Sequence, residues 1–147
     1  MVIRPFRKGD GPLFIALVRA LARYEKLTPP GAGAAKRLVH DEGRRHHTLM
    51  AFVDGSPVGY AIWFPTYSSF LARPTLYLED LFILPCARGR GVGRALFRVL
   101  RREARRLGAG RMEWIVLDWN TPAHRFYRRL GLRPLKGWVP YRLTLPR

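Results

Sequence analysis

Apolar residues recur along the chain with two periods, and each period predicts a different kind of element. Alternating or continuous short apolar segments predict six strands, at residues 2–4, 48–53, 58–63, 76–83, 111–117 and 138–145. Helical spacing predicts four helices, at residues 10–24 with Asp10 as the cap, 34–42, 92–107 and 121–130. The order β-α-α-β-β-β-α-β-α-β predicts an α/β fold, in which a mixed sheet carries helices on both faces.

Turn residues separate the predicted strands in the middle of the chain. Asp-Gly-Ser-Pro at residues 54–57 predicts a hairpin turn. The polar and aromatic segment 65–74 is interpreted as a loop that precedes the strand at 76–83.

The length of 147 residues suits a single domain that covers residues 1–147. No apolar segment approaches the ~20 residues that a membrane span requires, and the first residues lack the apolar core of a secretory signal. Cys86 is the only cysteine, so no internal disulfide and no cysteine-rich metal site is available. We therefore expect a cytoplasmic protein without membrane contact or bound metal, in which Cys86 is a packing residue.

The net charge of +17 comes mostly from arginine, because only 4 of the 27 basic residues are lysines. A positive field raises the local concentration of anionic ligands. The polar face of the helix at 92–107 is interpreted as a solvated surface, and it holds Arg98, Arg101, Arg102, Arg105 and Arg106. Charge alone leaves nucleic acid open as a partner, but the aromatic residues occupy core positions of strands and helices, which makes it unlikely.

Residues 88–94 form a glycine-arginine segment between a predicted strand and a predicted helix. Its three glycines, Gly89, Gly91 and Gly93, let backbone amides approach a ligand without a Cβ in the way. The first N–H groups of a helix have no internal partner, and the helix dipole adds partial positive charge there. The segment therefore predicts a phosphate-binding loop, with a merely basic connection as the alternative.

Two common phosphate motifs do not match this loop. A P-loop requires lysine followed by a hydroxyl residue, and Arg94 and Ala95 stand at those positions. The dinucleotide motif has a different glycine spacing and an acidic residue about 20 positions later, which the chain lacks. Nucleotide hydrolysis and hydride transfer are therefore excluded.

Residues 81–93 resemble the acetyl-CoA signature of the GCN5-related N-acetyltransferases, [Gln/Arg]-x-x-Gly-x-[Gly/Ala]. Asn-Thr-Pro-Ala at 120–123 and Phe-Tyr-Arg-Arg-Leu-Gly at 126–131 are similar to the second signature of this family. More narrowly, residues 24–25, 76–80 and 118–120 resemble the diamine acetyltransferase branch. The resemblance implies the acyl-CoA N-acyltransferase fold, a mixed and mostly antiparallel sheet, and transfer of the acetyl group of acetyl-CoA to a primary amine.

The resemblance implies a set of contacts to acetyl-CoA. The pyrophosphate would lie on the loop and the start of the next helix, and the pantetheine arm would pair with the strand backbone in a splay between the two central strands. The implied cofactor-binding residues are Leu81, Phe82, Ile83, Arg88, Gly89, Arg90, Gly91, Val92, Gly93, Arg94, Asn120, Ala123 and Tyr127. For Asn120, a helix cap is the alternative.

Direct attack by the amine requires a base and an acid, because an alkylammonium with a pKa of ~10 is protonated at neutral pH. Glu79 is our candidate base, acting through water, since an unpaired carboxylate in an apolar strand is costly. Its alternative is an ion pair with an arginine. Strand alternation puts Asp80 on the opposite face. By resemblance, Tyr127 is the acid that protonates the departing thiolate, with a core aromatic as the alternative.

The acceptor site implied by the resemblance contains Tyr24, Glu25 and Glu79. Ser68 and Lys136 stand where the polyamine enzymes have acids, so a polyamine acceptor is doubtful. We expect a small amine or an amino-acid-like acceptor, and a homodimer as in related enzymes. Two rival hypotheses keep the fold without turnover: a basic nucleic-acid-binding module and a CoA-binding sensor.

Overall fold

The computed structural model describes residues 1–146. In chain order its elements are β1 (Val2–Pro5), α1 (Gly11–Tyr24), α2 (Ala32–Asp41), β2 (His47–Val53), β3 (Ser56–Ser68), β4 (Arg73–Ile83), α3 (Val92–Arg106), β5 (Arg111–Glu113) and α4 (Thr121–Arg129), with a short 3-10 turn at Pro85–Ala87. The strands form one sheet in the order β1-β2-β3-β4-β5. Neighbours from β1 to β4 are antiparallel, and β5 is parallel to β4. The predicted mixed, mostly antiparallel sheet is confirmed.

The chain divides into two compact units. The first, Met1–Trp114, contains the whole sheet and helices α1 to α3. The second begins at Ile115 and contains α4. A single domain over residues 1–147 stays a prediction.

One face of the sheet packs against α1 and α2. Apolar residues of α1 recur every three or four positions, so one side of the helix is buried while the other meets water. Asp10 stands at the N-cap position, as predicted, but its carboxylate does not cap the helix. It binds the Arg4 guanidinium at 2.6 Å and the Arg7 N–H at 2.7 Å. The buried cluster on this face consists of Phe14, Ile15, Leu17, Ala35, Met50, Tyr60, Ile62 and Phe82.

The opposite face of the sheet is covered by α3, which contacts strands β1 to β5. Strand alternation turns Leu49 and Ala61 away from the α1 cluster and toward this face. Val92, Leu96 and Leu100 form the buried stripe of α3 at helical spacing. The predicted placement of helices on both faces is confirmed.

Three of the predicted segments differ from the structure. Residues 65–74 belong largely to a long hairpin, in which β3 reaches Ser68 and β4 begins at Arg73. Ser68 is buried, and its Oγ accepts a hydrogen bond from the Leu71 N–H at 3.2 Å across the turn. Because the segment is rich in aromatic and polar residues, its sequence did not indicate that it forms paired strands.

The strand predicted at 111–117 ends early, because β5 pairs with β4 only from Arg111 to Glu113. A bulge at Glu79 bends β4 soon after this paired stretch, and a bent strand does not keep a parallel neighbour in register.

The strand predicted at 138–145 is absent from the part of the chain that the structure describes. Its apolar side chains are largely exposed, including Trp138, Tyr141 and Leu143. Alternation records which side chains share a face, but a strand also requires a neighbour for its backbone, and this segment has none within residues 1–146. The apolar residues of this segment do alternate along the sequence, but they do not form a strand within residues 1–146.

Candidate active site

The predicted phosphate loop joins β4 to α3 and has the backbone that an anion site requires. Gly89 and Gly91 have φ angles of 76° and 80°, in the left-handed region that favours glycine. A Cβ at either position would meet nothing within 4 Å. Glycine is therefore needed there for its conformation, and the space above the loop is open to a ligand.

The start of α3 offers backbone donors toward this open space. Gly91 is the N-cap residue and has no side chain to cap the helix. The first helical hydrogen bond is donated by the Ala95 N–H to the Gly91 carbonyl at 3.0 Å. The three N–H groups before it belong to Val92, Gly93 and Arg94, and their helix has 15 residues whose dipole adds positive charge. These residues fit a pyrophosphate.

Arg88 connects the loop to neighbouring elements. Its Nε donates to the Ile83 carbonyl at 2.9 Å, and its guanidinium lies 4.7 Å from the centre of the Tyr24 ring. Tyr24 ends α1 and is a predicted acceptor residue. Arg88 therefore holds the cofactor loop beside the end of α1, a contact that sequence spacing does not show.

The edge of β4 that faces β5 is open over its second half. β5 pairs only with Thr75–Tyr77, and past Tyr77 this edge has no strand neighbour among residues 1–146. An extended ligand arm can pair with such an edge as an additional strand. Leu81 and Ile83 lie on this stretch, half-buried, whereas the Phe82 side chain belongs to the α1 cluster. Phe82 can therefore serve a ligand only through its backbone.

A β-bulge in β4 occurs at the two adjacent acids, Glu79 and Asp80. Ile62 pairs with Asp80 and Trp63 with Leu78, so Glu79 is an additional residue without a partner on β3. The bulge interrupts strict alternation, and the charge of Glu79 raises the pKa of Asp80. The placement of Asp80 on the face opposite to Glu79 stays a prediction. Glu79 is exposed, and Asp80 is half-buried.

Asp80 has a specific partner inside the protein. The Tyr60 hydroxyl donates a hydrogen bond to Asp80 Oδ2 at 2.9 Å. Burial raises the pKa of Asp80 to about 6, and the negative charges of Glu79 and Glu25 act in the same direction. The Tyr60 hydrogen bond and the charge of His46 oppose this rise.

Glu25 follows α1 as its C-cap residue and is half-buried. Burial raises its pKa above the ordinary value. Because its charge acts on both Asp80 and Tyr60, the three groups form one electrostatic cluster with Glu79. A cationic amine would relieve the mutual repulsion of these carboxylates.

The second unit contains the three remaining predicted residues, with Asn120 at the N-cap of α4 and Ala123 and Tyr127 within the helix. The Asn120 side chain accepts a hydrogen bond from the Ala123 N–H at 3.3 Å, so the alternative role of Asn120 as a helix cap is observed. Tyr127 is on the same helix and packs edge to face against Phe126, with 5.1 Å between ring centres. Burial raises the pKa of the Tyr127 phenol, which keeps it protonated at neutral pH.

Sequence reasoning missed Tyr60 and set Asp80 aside. In the sequence Tyr60 is one of several apolar residues of a strand, and no neighbouring residue indicates that its hydroxyl is hydrogen-bonded. The signal for Asp80 was the acid pair itself, since two adjacent acids in an apolar strand violate the alternation that a regular strand imposes. A bulge is the structural solution to such a violation.

The sequence matches the family model described as Acetyltransferase (GNAT) family over residues 17–132. The chain belongs to this family and is an N-acetyltransferase, as the resemblance of its two signature segments implied.

Curated relatives agree with this class. Thialysine N-epsilon-acetyltransferase of Caenorhabditis elegans is 33% identical over 133 residues, which cover 88% of this chain and 82% of that protein. L-ornithine N5-acetyltransferase NATA1 of Arabidopsis thaliana is 43% identical over 86 residues, which cover 58% of this chain but only 38% of that protein. The predicted similarity to the diamine acetyltransferase branch is confirmed.

The fold agrees with solved acetyltransferase structures. Aminoglycoside N-acetyltransferase AAC(6')-Iy in complex with CoA superposes with a TM-score of 0.75 at 22% identity, covering 98% of this chain and 100% of that chain. At this identity the likeness shows the fold alone. No helix within residues 1–146 has the length and apolar character needed to cross a membrane.

Proposed function

We propose that this protein transfers the acetyl group of acetyl-CoA to a primary amine in the side chain of a small amino acid, of the kind named in its relatives. The observation that carries the proposal is the arrangement of the first unit, in which an open loop of backbone donors follows β4 and a cluster of carboxylates lies at the bulge in the second half of the same strand. The loop suits an anionic donor substrate, and the carboxylates suit a cationic acceptor.

The donor substrate supplies an activated acetyl thioester. The loop N–H groups of residues 89–94 would hold its pyrophosphate, with Arg90 and Arg94 exposed beside them. The open edge of β4 at Leu81 and Ile83 would orient the extended arm. A backbone N–H there would stabilise the charge that develops on the carbonyl oxygen.

Three proton transfers accompany the reaction. Glu79 receives one proton of the ammonium through a water molecule, which frees the nitrogen lone pair to form the new C–N bond. As the C–S bond breaks, Tyr127 gives its proton to the departing thiolate. The nitrogen of the new amide then loses its second proton, which restores the Tyr127 hydroxyl. The raised pKa of Tyr127 suits its role as the acid, because a donor must stay protonated until the bond breaks.

An amino acid suits this chain better than a polyamine. Glu25, Glu79 and Asp80 offer negative charge for one ammonium group. A net charge of +17 repels a polycation at long range, whereas the carboxylate of an amino acid offsets part of that repulsion. Ser68 stands at a position where polyamine enzymes have an acid, and its Oγ accepts a hydrogen bond within its own turn.

We further propose that the enzyme acts as a cytoplasmic homodimer. The exposed apolar residues Trp138, Tyr141 and Leu143 support an association, because contiguous exposed apolar residues commonly mark interfaces. Cys86 is a free thiol, which suits a reducing compartment. Sedimentation of the purified chain tests the association, and a monomer at micromolar concentration would contradict it.

Thermal unfolding with and without acetyl-CoA tests the donor half of the proposal. Ligand at 100 times its Kd stabilises a protein by about 2.7 kcal/mol, so the unfolding midpoint should rise clearly at millimolar acetyl-CoA. An unchanged midpoint would overturn the proposal.

Turnover with a panel of amines tests the acceptor half. Thialysine, ornithine, lysine and spermidine should be compared by mass detection of the acetylated product, because the exposed thiol of Cys86 would react with thiol reagents. We expect the amino acids to exceed spermidine in kcat/KM. Stabilisation without turnover of any amine would favour the CoA-binding sensor instead.

A further inference from the structure

The Tyr60 side chain is held rigidly inside the α1 cluster. Its residue is fully buried, and its ring packs edge to face on Phe14 with 5.5 Å between centres and lies 6.4 Å from Phe82. A ring fixed in this way cannot move its hydroxyl to follow another partner. The hydrogen bond to Asp80 Oδ2 therefore fixes the Asp80 carboxylate.

Glu79 is the additional residue of the bulge and directly precedes Asp80, whose carboxylate is held by Tyr60. Because a nearby charge favours or opposes the arrival of a proton, the charge of Asp80 acts on proton transfer at this part of β4.

We propose that Tyr60 is a positioning residue that sets, through the Asp80 carboxylate that it holds, the pH range in which the amine gives up its proton at this site. The inference rests on the proposed function, because it assigns a regulator to the same proton transfer. A general base works best when its pKa lies near the working pH. The pKa of Asp80, raised to about 6, lies near that range.

Four groups around Asp80 determine its charge, and they come from different elements. Glu79 on β4 and Glu25 at the end of α1 disfavour ionisation, whereas Tyr60 on β3 favours it. His46, in the turn between α2 and β2, also favours ionisation; its Nδ1 lies 3.3 Å from Glu42 Oε2. Of these four groups, Tyr60 is the one whose effect on Asp80 can be removed without altering a charge, because it acts through a hydrogen bond.

Tyr60→Phe tests the proposal because it removes the hydroxyl and keeps the ring. Losing a hydrogen bond that stabilises the ionised form raises the pKa of Asp80, by about one unit for a bond to a charged group. We expect the acidic limb of the kcat/KM profile against pH to move upward by about one pH unit. With one amine for both proteins, the ionisation of the substrate contributes equally to both profiles.

Two further variants sharpen the test. Glu79→Gln removes a negative charge, so the acidic limb of its residual activity should move downward, opposite to Tyr60→Phe. Tyr67→Phe is the matched control, since Tyr67 lies on the same strand with 68% of its surface exposed. Its profile should coincide with that of the unmodified protein.

Carboxyl-carbon NMR of the full chain measures the Asp80 titration directly, and it should show the same upward shift in Tyr60→Phe. An unshifted activity profile with a shifted Asp80 titration would overturn the role of Asp80 in proton uptake. An unshifted Asp80 titration would overturn the role of Tyr60. Absence of turnover in the unmodified protein, by contrast, would remove the proposed function itself.

Discussion

The donor and acceptor ends of the candidate site are built from different parts of the chain. At the donor end the contacts come from backbone, namely the loop of Gly89 and Gly91, the start of α3 and the open edge of β4. At the acceptor end they come from side chains, above all Asp80 and Glu25. A backbone site persists when side chains change, whereas a side-chain site changes with every substitution. We therefore expect the donor end to be the part that the family shares and the acceptor end to be the part that selects the substrate.

The largest effect should come from Glu79→Gln at the acceptor end. Removing a general base costs on the order of 10³-fold in kcat, because an ammonium with a pKa near 10 must still lose its proton. Acetyl-CoA affinity should stay unchanged, since the donor end contains no part of this side chain. Steady-state kinetics together with acetyl-CoA titration measure both. A variant with unchanged kcat would contradict the assignment of the base.

Tyr127→Phe should reduce kcat less, on the order of 10²-fold. The leaving thiol has a pKa near 8.5, which is lower than the pKa near 10 of the ammonium. The thiolate therefore needs less help from an acid than the amine needs from a base. The loss should grow when the leaving thiol is made more basic and shrink when it is made more acidic. Equal losses for all leaving groups would contradict a role as the acid.

The difference between the two ends also explains what the sequence could predict. Glycine at positions 89 and 91 indicates, from the sequence alone, a loop with left-handed backbone. The spacing of Val92, Leu96 and Leu100 predicts the helix that follows. The donor end was therefore predictable from local pattern. The acceptor end was only partly predictable, because the Tyr60 bond to Asp80 joins residues that are 20 positions apart.

Strand ends were the least predictable part of the fold, for a related reason. Alternation of apolar residues was correct for β2 to β4, where each strand has neighbours. The same alternation at 138–145 predicted a strand that is absent from residues 1–146, because pairing depends on a neighbour that the pattern does not encode. The bulge at Glu79 likewise depends on the register of β3 against β4.

Gly91→Ala tests whether the donor end depends on backbone conformation. A residue with a Cβ at a φ of 80° costs about 1–2 kcal/mol, and relaxing this strain displaces the amides at the start of α3. We expect acetyl-CoA to bind about tenfold more weakly, with little change in the KM for the amine. Gly108→Ala is the matched control, because Gly108 follows the other end of the same helix with a φ of 71°. It should lose similar stability and keep its affinity; equal affinity losses in both variants would contradict a local role for Gly91.

Lys136→Glu should give the smallest effect and tests whether charge at the acceptor end selects the substrate. If residue 136 faces the amine, exchanging a positive for a negative charge favours a polycation by about 1 kcal/mol in a solvated setting, which is several-fold in kcat/KM for spermidine. Lys8→Glu changes the net charge equally, but Lys8 precedes α1, whose 14 residues place its start about 20 Å from the end where Glu25 lies. A gain in both variants would assign the discrimination to the overall field of the protein, and a gain in Lys136→Glu alone would assign it to the acceptor end.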